Sequence, residues 1–318
     1  MRLAHNENMR VFAISFLPFL LIAQQPPPPK NNSAVYPPSA ATTNDTQDDE
    51  GVEWMCPMHK DVREKGPGEC PICHMKLIPD ISDEREYNVD LTTVPRVLKP
   101  NENIQLRFNV QDPTTHKTVQ DFEIMHEKLY HLFLVSQDMQ FFVHTHPVKQ
   151  PDGTFHLDAK FPHPGLYRVL SDFYPKGGTP QLIARTLMVP GEGFKLEPAT
   201  LTPDLEPKQT ENLHVELQMD PPQPLAGFKQ IMFFKLTPND GIEQYIGAWA
   251  HVMAASSDLL DMMHTHPIYV TDPDEGAYKQ IQVNIIFPRA GIYRVWIQFQ
   301  RKGVVNTAAF NIPVDELK

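Results

Sequence analysis

The chain has 318 residues and a formal net charge of −11, from 39 acidic and 28 basic side chains. An acidic chain argues against a nucleic-acid partner, which calls for a basic face, and the length suits two or three domains. Proline is abundant (32 residues) and glycine modest (15), which fits β-domains with proline at strand ends and in loops.

At the N-terminus, Arg2 and Arg10 precede the apolar run Val11–Ala23. The run is about half the length that crosses a bilayer, so residues 1–23 read as a secretory signal cut after Ala23. Met9 offers a second start with a cleaner Met-Arg lead. The expected setting is periplasmic or secreted, with no membrane span left after cleavage. Residues 24–52 are rich in Pro, Asn, Thr and acid, lack hydrophobic periodicity, and read as a disordered tether.

Residues 53–80 hold all three cysteines, within 18 consecutive positions. The segment reads Trp54-Met55-Cys56-Pro57-Met58-His59, then Gly66-Pro67-Gly68-Glu69-Cys70-Pro71-Ile72-Cys73-His74-Met75. A C-x2-H pair followed by a C-x2-C pair supplies four donors from two short knuckles: Cys56, His59, Cys70 and Cys73. Thiolate and imidazole in that number suit a tetrahedral soft or borderline cation. So few residues cannot bury a core, so the metal would supply much of their folding energy. An odd number of cysteines, none of them in the later domains, excludes a disulfide scaffold. Met58, Met75 and His74 stand beside the cysteines and would ease exchange of a soft metal.

The remainder is an internal repeat. The first copy carries His131-Leu132-Phe133-Leu134-Val135-Ser136-Gln137-Asp138 and then His144-Thr145-His146-Pro147. The second carries His251-Val252-Met253-Ala254-Ala255-Ser256-Ser257-Asp258 and then His264-Thr265-His266-Pro267. Each continues to a Phe-Pro-x-x-Gly-x-Tyr-Arg-Val element, at 161–169 and 287–295. Alternating runs such as 104–110, 154–160, 280–286 and 292–298 predict strands, and no window predicts a long amphipathic helix. The expected fold is mainly β. Two tandem antiparallel sandwiches of immunoglobulin or cupredoxin type, at 84–198 and 205–318, follow a small ribbon-like metal-binding module.

A two-residue turn at Gln137-Asp138 would set His131 directly opposite His144, and one at Ser257-Asp258 would set His251 opposite His264. His146 and His266 share those faces through their i, i+2 spacing. Each domain would then present its own three-imidazole patch, His131/His144/His146 and His251/His264/His266, suited to copper or zinc. The alternative is that the rings are polar strand residues holding loops. His126 is a further candidate in copy one, where copy two has Ile246; Met253, Met262 and Met263 lie near the second patch. Asp138 and Asp258 are explained by turn chemistry.

Residues 54–59, the Pro67-Gly68-x-Cys70-Pro71-x-Cys73 run and the Met75-x-Leu77-x-Pro79 tail resemble the small heavy-metal-binding domain. That domain is fused to copper- and heavy-metal-transporting P-type ATPases and to efflux adaptors. This chain departs from it at His74, where glycine is expected. The repeats are similar to secreted β-domains of copper-handling type with a His-x-His-Pro motif. Together with the signal-like run, the resemblance implies an exported protein that binds a heavy-metal ion, copper or zinc, for sequestration or for delivery to an efflux or metalloprotein-assembly partner, and the chain is read as non-enzymatic. Two alternatives stand beside it. One is an extracytoplasmic interaction protein with a purely structural zinc ribbon; the other is a three-histidine metalloenzyme, disfavoured because no general base or nucleophile elbow accompanies the histidines.

Overall fold

The computed structural model describes residues 54–59, 62–79, 86–194, 196–271 and 279–317. The expected signal and tether lie outside the described residues. The described residues form β-strands and turns with no helix, and none of them forms a helix long and apolar enough to cross a membrane.

The module is a three-stranded antiparallel sheet of two-residue strands, β1 (Trp54–Met55), β2 (Arg63–Glu64) and β3 (Ile78–Pro79), in the order β2-β1-β3. Among the described residues its apolar centre is Cys56, Cys70 and Leu77, with Trp54, Met58, Val62 and Cys73 packed around them. That is too little burial to hold the segment without a cross-link or a cation.

The first repeat comprises β4 (Asn88–Val94), β5 (Ile104–Gln111), β6 (Tyr130–Ser136), β7 (Phe142–Thr145), β8 (Val148–Lys149), β9 (Phe155–Ala159), β10 (Gly165–Phe173) and β11 (Gln181–Val189). They form two sheets, β4-β5-β9-β8 and β11-β10-β6-β7. The second repeat comprises β12 (Lys208–Gln209), β13 (His214–Asp220), β14 (Lys229–Thr237), β15 (Ile242–Glu243), β16 (His251–Ser256), β17 (Met262–Thr265), β18 (Pro267–Val270), β19 (Lys279–Ile286), β20 (Gly291–Arg301) and β21 (Val304–Val314). Its sheets are β12-β13-β14-β19-β18 and β15-β20-β16-β17, with β21 also on β20. Each pair of sheets encloses its own apolar core. Phe108, Tyr130, Phe155 and Tyr167 lie in the first, and Phe234, Tyr293, Phe299 and Phe310 in the second. The architecture is that of two antiparallel β-sandwiches.

β6 and β16 are buried along their whole length, not on alternate residues. One face of β6 (Tyr130, Leu132, Leu134) enters its own core. The other face (Phe133, Val135) meets Met253, Ala255 and Trp296 of the second repeat in a third apolar cluster. Phe142 stacks on Trp296 across this seam, with ring centroids 4.7 Å apart and planes 6° from parallel. The two sandwiches are thus packed back to back, and the histidine-bearing strands lie in the seam.

The expected two-residue turns are corrected to four-residue loops. Ser136 N–H donates to Phe141 O at 3.0 Å and Ser256 N–H to Asp261 O at 2.9 Å, closing the loops one pair later than predicted. His144 therefore faces Phe133, and His264 faces Met253. This slip moves partners by two positions, so side-chain alternation survives and the histidines keep a common face. The loops lengthen because Met139 and Leu259 take left-handed backbone, φ 58° and 56°, and bury their side chains in the seam cluster. Asp138 and Asp258 accept from Ser136 and Ser256 hydroxyls at 2.5 Å and cap the loops, as turn chemistry requires.

Replacing Trp296 by alanine removes the largest side chain of the seam cluster without touching an imidazole. A loss of about 3–5 kcal/mol is expected in urea denaturation, with the two repeats no longer unfolding together.

Candidate metal centres

Two knuckles build the first centre. Cys56 N–H donates to Val62 O (2.9 Å) and Val62 N–H to His59 O (2.8 Å), bringing Val62 back onto Cys56 and His59. Cys70 N–H bonds Met75 O and His74 N–H bonds Cys70 O, both at 2.8 Å, making the second knuckle. His74 takes the left-handed backbone, φ 58°, that a glycine would take there. It is exposed and stands apart from the donor group.

The four donors Cys56, His59, Cys70 and Cys73 converge within 4.8 Å of one another. Cys56 Sγ lies 3.6 Å from Cys73 Sγ and 3.6 Å from His59 Nδ1, and Cys70 Sγ lies 3.5 Å from the same nitrogen. Tetrahedral bonds of about 2.3 Å to sulfur and 2.0–2.1 Å to nitrogen put such donors about 3.5–3.8 Å apart, so the set fits one ion. The hydrogen bond with Cys73, with help from His59, holds the Cys56 thiol well below its ordinary pKa, and the His59 backbone N–H reaches its sulfur at 3.2 Å. The same pairing pushes the Cys73 thiol upward.

The second centre lies in the seam. His131 donates from Nε2 to Met125 O (3.0 Å), and His251 from Nε2 to Tyr245 O (2.9 Å), so both carry an unprotonated Nδ1. His144 Nδ1 bonds Gln298 Oε1 at 2.9 Å, and His264 Nδ1 bonds Asp172 Oδ2 at 2.5 Å. These bonds cross between repeats: β20 of the second serves a histidine of the first, and β10 of the first serves a histidine of the second. They leave lone pairs on Nε2 of His144 and His264. His131 Nδ1 and His144 Nε2 then face each other at 3.1 Å with no proton between them. His264 Nε2 is buried without a partner. Facing lone pairs away from water repel unless a cation stands between them, and outer hydrogen bonds that fix the tautomer this way are the support a metal-ligating histidine needs.

The groups in which every nitrogen lies within 4.8 Å of the others are His131/His144/His251 and His251/His264/His266. The second group is the patch expected for the second repeat, whereas the first takes His251 of the second repeat where His146 was expected. His146 Nε2 touches His131 Nδ1 at 3.2 Å and His266 Nε2 touches His251 Nδ1 at 3.0 Å. Nitrogens sharing one ion at about 2.0–2.1 Å stand about 3.3 Å apart, so these separations fit. His126 is drawn in as well, its ring centred 3.8 Å from that of His266.

Burial leaves these rings neutral. Desolvation, reinforced by neighbouring imidazoles, lowers His126 and His131 to about 4, His144 to about 2 and His146 to about 3; desolvation alone takes His264 to about 3. His251 and His266 are lowered by the same causes. Asp172 is raised to about 6 by burial, partly offset by His131 and His126. Asp172 and Gln298 are the functional residues that sequence reasoning missed. They occupy the same place after each Tyr-Arg-Val element, on the outward face of their strands, and alternation does not reveal that this face is covered.

Residues 82–191 and again 199–316 match one family model, described as a domain of unknown function (DUF8832). The chain belongs to that family. Residues 53–80 match the heavy metal binding domain, which accords with the resemblance read from the cysteine spacing and implies metal-ion binding. A silver-exporting P-type ATPase of Salmonella typhimurium is 60% identical over 30 residues, 9% of this chain and 4% of that protein. The chain thus spans only a small part of that relative. Among solved structures, the Escherichia coli adhesin FdeC aligns with a TM-score of 0.24 and 10% identity, over 74% of this chain and 68% of that one. A study of carbohydrate-binding modules of the β-sandwich superfamily supplies another, with a TM-score of 0.21 and 14% identity, over 72% of this chain and 99% of that one.

The lowered imidazoles make the metal-free fold acid-sensitive. Folded, His131, His144 and His264 take protons only near pH 2–4; in the unfolded chain they do so near pH 6.5. The unfolded state therefore binds more protons below pH 6.5, and stability present above that value is lost as pH falls toward the folded values. Asp172 acts in the opposite sense between about 6 and 3.8, but it is one group against several. Moving from about pH 7.5 to about pH 5 should cost about 2 kcal/mol for each of the three rings, read as a fall in the urea midpoint of metal-free protein.

Proposed function

We propose that the chain is an exported heavy-metal-binding protein that sequesters copper, or zinc, or delivers it to an efflux or assembly partner. The observation that carries the reading is the pair of donor sets of different softness, three cysteine sulfurs with one imidazole in the module and neutral imidazoles in the seam. Thiolates select soft ions such as Cu⁺, while imidazoles accept Cu²⁺ and Zn²⁺ as well. Export is supported by the signal-like run Val11–Ala23. The protein is read as a binder and not an enzyme, since the buried carboxylate of Asp172 is committed to His264.

Full-length protein equilibrated anaerobically with Zn²⁺ or Cu⁺ and freed of loose metal should hold more than one ion per chain. Cys70→Ser with Cys73→Ser should remove the module's ion and its dispersed NMR signals while both sandwiches persist. His251→Ala should lower the stoichiometry further, because both three-nitrogen groups contain it; His146→Ala should leave both groups standing. A stoichiometry of one, unmoved by His251→Ala, would leave the seam histidines purely structural.

The carboxylate behind His264 gives a graded test. Asp172→Asn keeps the shape but removes the charge that makes His264 a stronger donor. Seam affinity should weaken by roughly 10-fold or more, measured by competition with a chromophoric chelator, with the module's affinity unchanged.

A further inference from the structure

His131, His251 and His266 are buried, so an ion bound among them needs a way in and out. A cleft of about 810 Å³ opens onto it, and the cysteine module forms the facing wall. Met58, His59, Cys73 and Met75 line the module side, and His126 and His266 line the seam side. We propose that the module is the port of the seam: a soft or borderline cation reaches and leaves the buried imidazoles by ligand exchange across this cleft, with His126 as the stepping donor. The proposal rests on the metal-binding reading of both donor sets.

Two of the module's four donors, His59 and Cys73, face the cleft, so the set opens on this side. The thioethers of Met58 and Met75 flank it. They are neutral, soft and flexible, and can hold a soft ion in passing without any proton being gained or lost.

His126 has the features of an intermediate donor. Its Nε2 is buried with no partner, while a hydrogen bond to the Gly247 backbone favours a proton on the ring's other nitrogen. Its ring lies 3.8 Å from that of His266 and 5.7 Å from that of His251. Gly247, at φ +67°, permits the approach: a Cβ there would meet the Glu127 side chain at 3.3 Å and His126 Cα at 3.6 Å. The repeat sharpens the point. His126 and its counterpart Ile246 both occupy left-handed loop positions, φ 43° and 50°, so the backbone is duplicated but the donor is not. The additional imidazole lines the cleft that the module faces.

The exchange balances without redox chemistry. Bonds from the ion to Cys73 and His59 break first and those to Cys56 and Cys70 last, as bonds to His126 Nε2 and then His266 and His251 form, and the oxidation state is unchanged. Freed thiolates take protons from solvent, and the neutral imidazoles release none. Direction follows softness: Cu⁺ drains toward the thiolates, and harder ions toward the imidazoles.

Anaerobic full-length protein mixed with Co²⁺ in excess of the module's capacity tests the route. Thiolate-to-cobalt charge transfer reports the module, and the ligand-field bands of imidazole-bound cobalt report the seam. Seam bands should follow the thiolate bands with a first-order constant independent of protein concentration. His126→Ile, which copies the residue at position 246, should slow the seam phase by roughly 10-fold or more and leave both final amplitudes unchanged. Cys70→Ser with Cys73→Ser should slow seam filling similarly. Unchanged seam rates in either variant, or a rate that grows with protein concentration, would overturn the port. A seam that takes up no cobalt in wild-type protein at any time would overturn the metal-binding reading of the seam itself.

Discussion

In the seam between the repeats, imidazole lone pairs face one another away from water, and much of the surrounding structure serves to hold them so. His131 and His251 are tied at Nε2 to backbone carbonyls, and His144 and His264 at Nδ1 to Gln298 and Asp172 of the opposite repeat. Each outer bond determines which nitrogen turns inward. Burial then keeps the rings uncharged, because an imidazolium there would lose its hydration and meet other rings at 3.0–3.2 Å. The apolar contact of Phe133, Met253 and Trp296 supplies the force that closes the seam on these polar groups.

The two halves of the seam are alike in backbone and unlike in chemistry. Corresponding strands, loops and carbonyl partners recur in both repeats, but Asp172 stands where the other copy has Gln298, and His126 where it has Ile246. One half thus has a charged partner behind its ligand and an additional ring at its mouth; the other has a neutral amide and an aliphatic side chain. Duplication accounts for the shared frame, and the differences give the halves different donor strength and different access.

The module differs from the sandwiches in what stabilises it. Each sandwich has a core of many buried apolar residues, whereas the module's centre is mostly its own ligands. Its backbone hydrogen bonds shape two knuckles but enclose little apolar area. A segment built this way couples folding to metal occupancy, which suits a donor set that takes up and releases its ion.

The sequence by itself determined the β class, the repeat and the four donors of the module, because each is written in local spacing. Strand alternation has a period of two, and C-x2-H and C-x2-C knuckles need only neighbouring residues. The common face of His131, His144 and His146 was also legible, since even spacing survives a slip of two in register. The loop length was not legible: Met139 and Leu259 adopt a left-handed backbone to reach an apolar cluster made by the other repeat. Nor was the pairing of His251 with His131 and His144, or the service of Asp172 and Gln298 across the seam. An outward strand face looks the same in sequence whether solvent or a second sandwich covers it. The unbroken apolar runs of β6 and β16 carried a trace of the second covering, but which residues met across it was decided only when the two sandwiches packed.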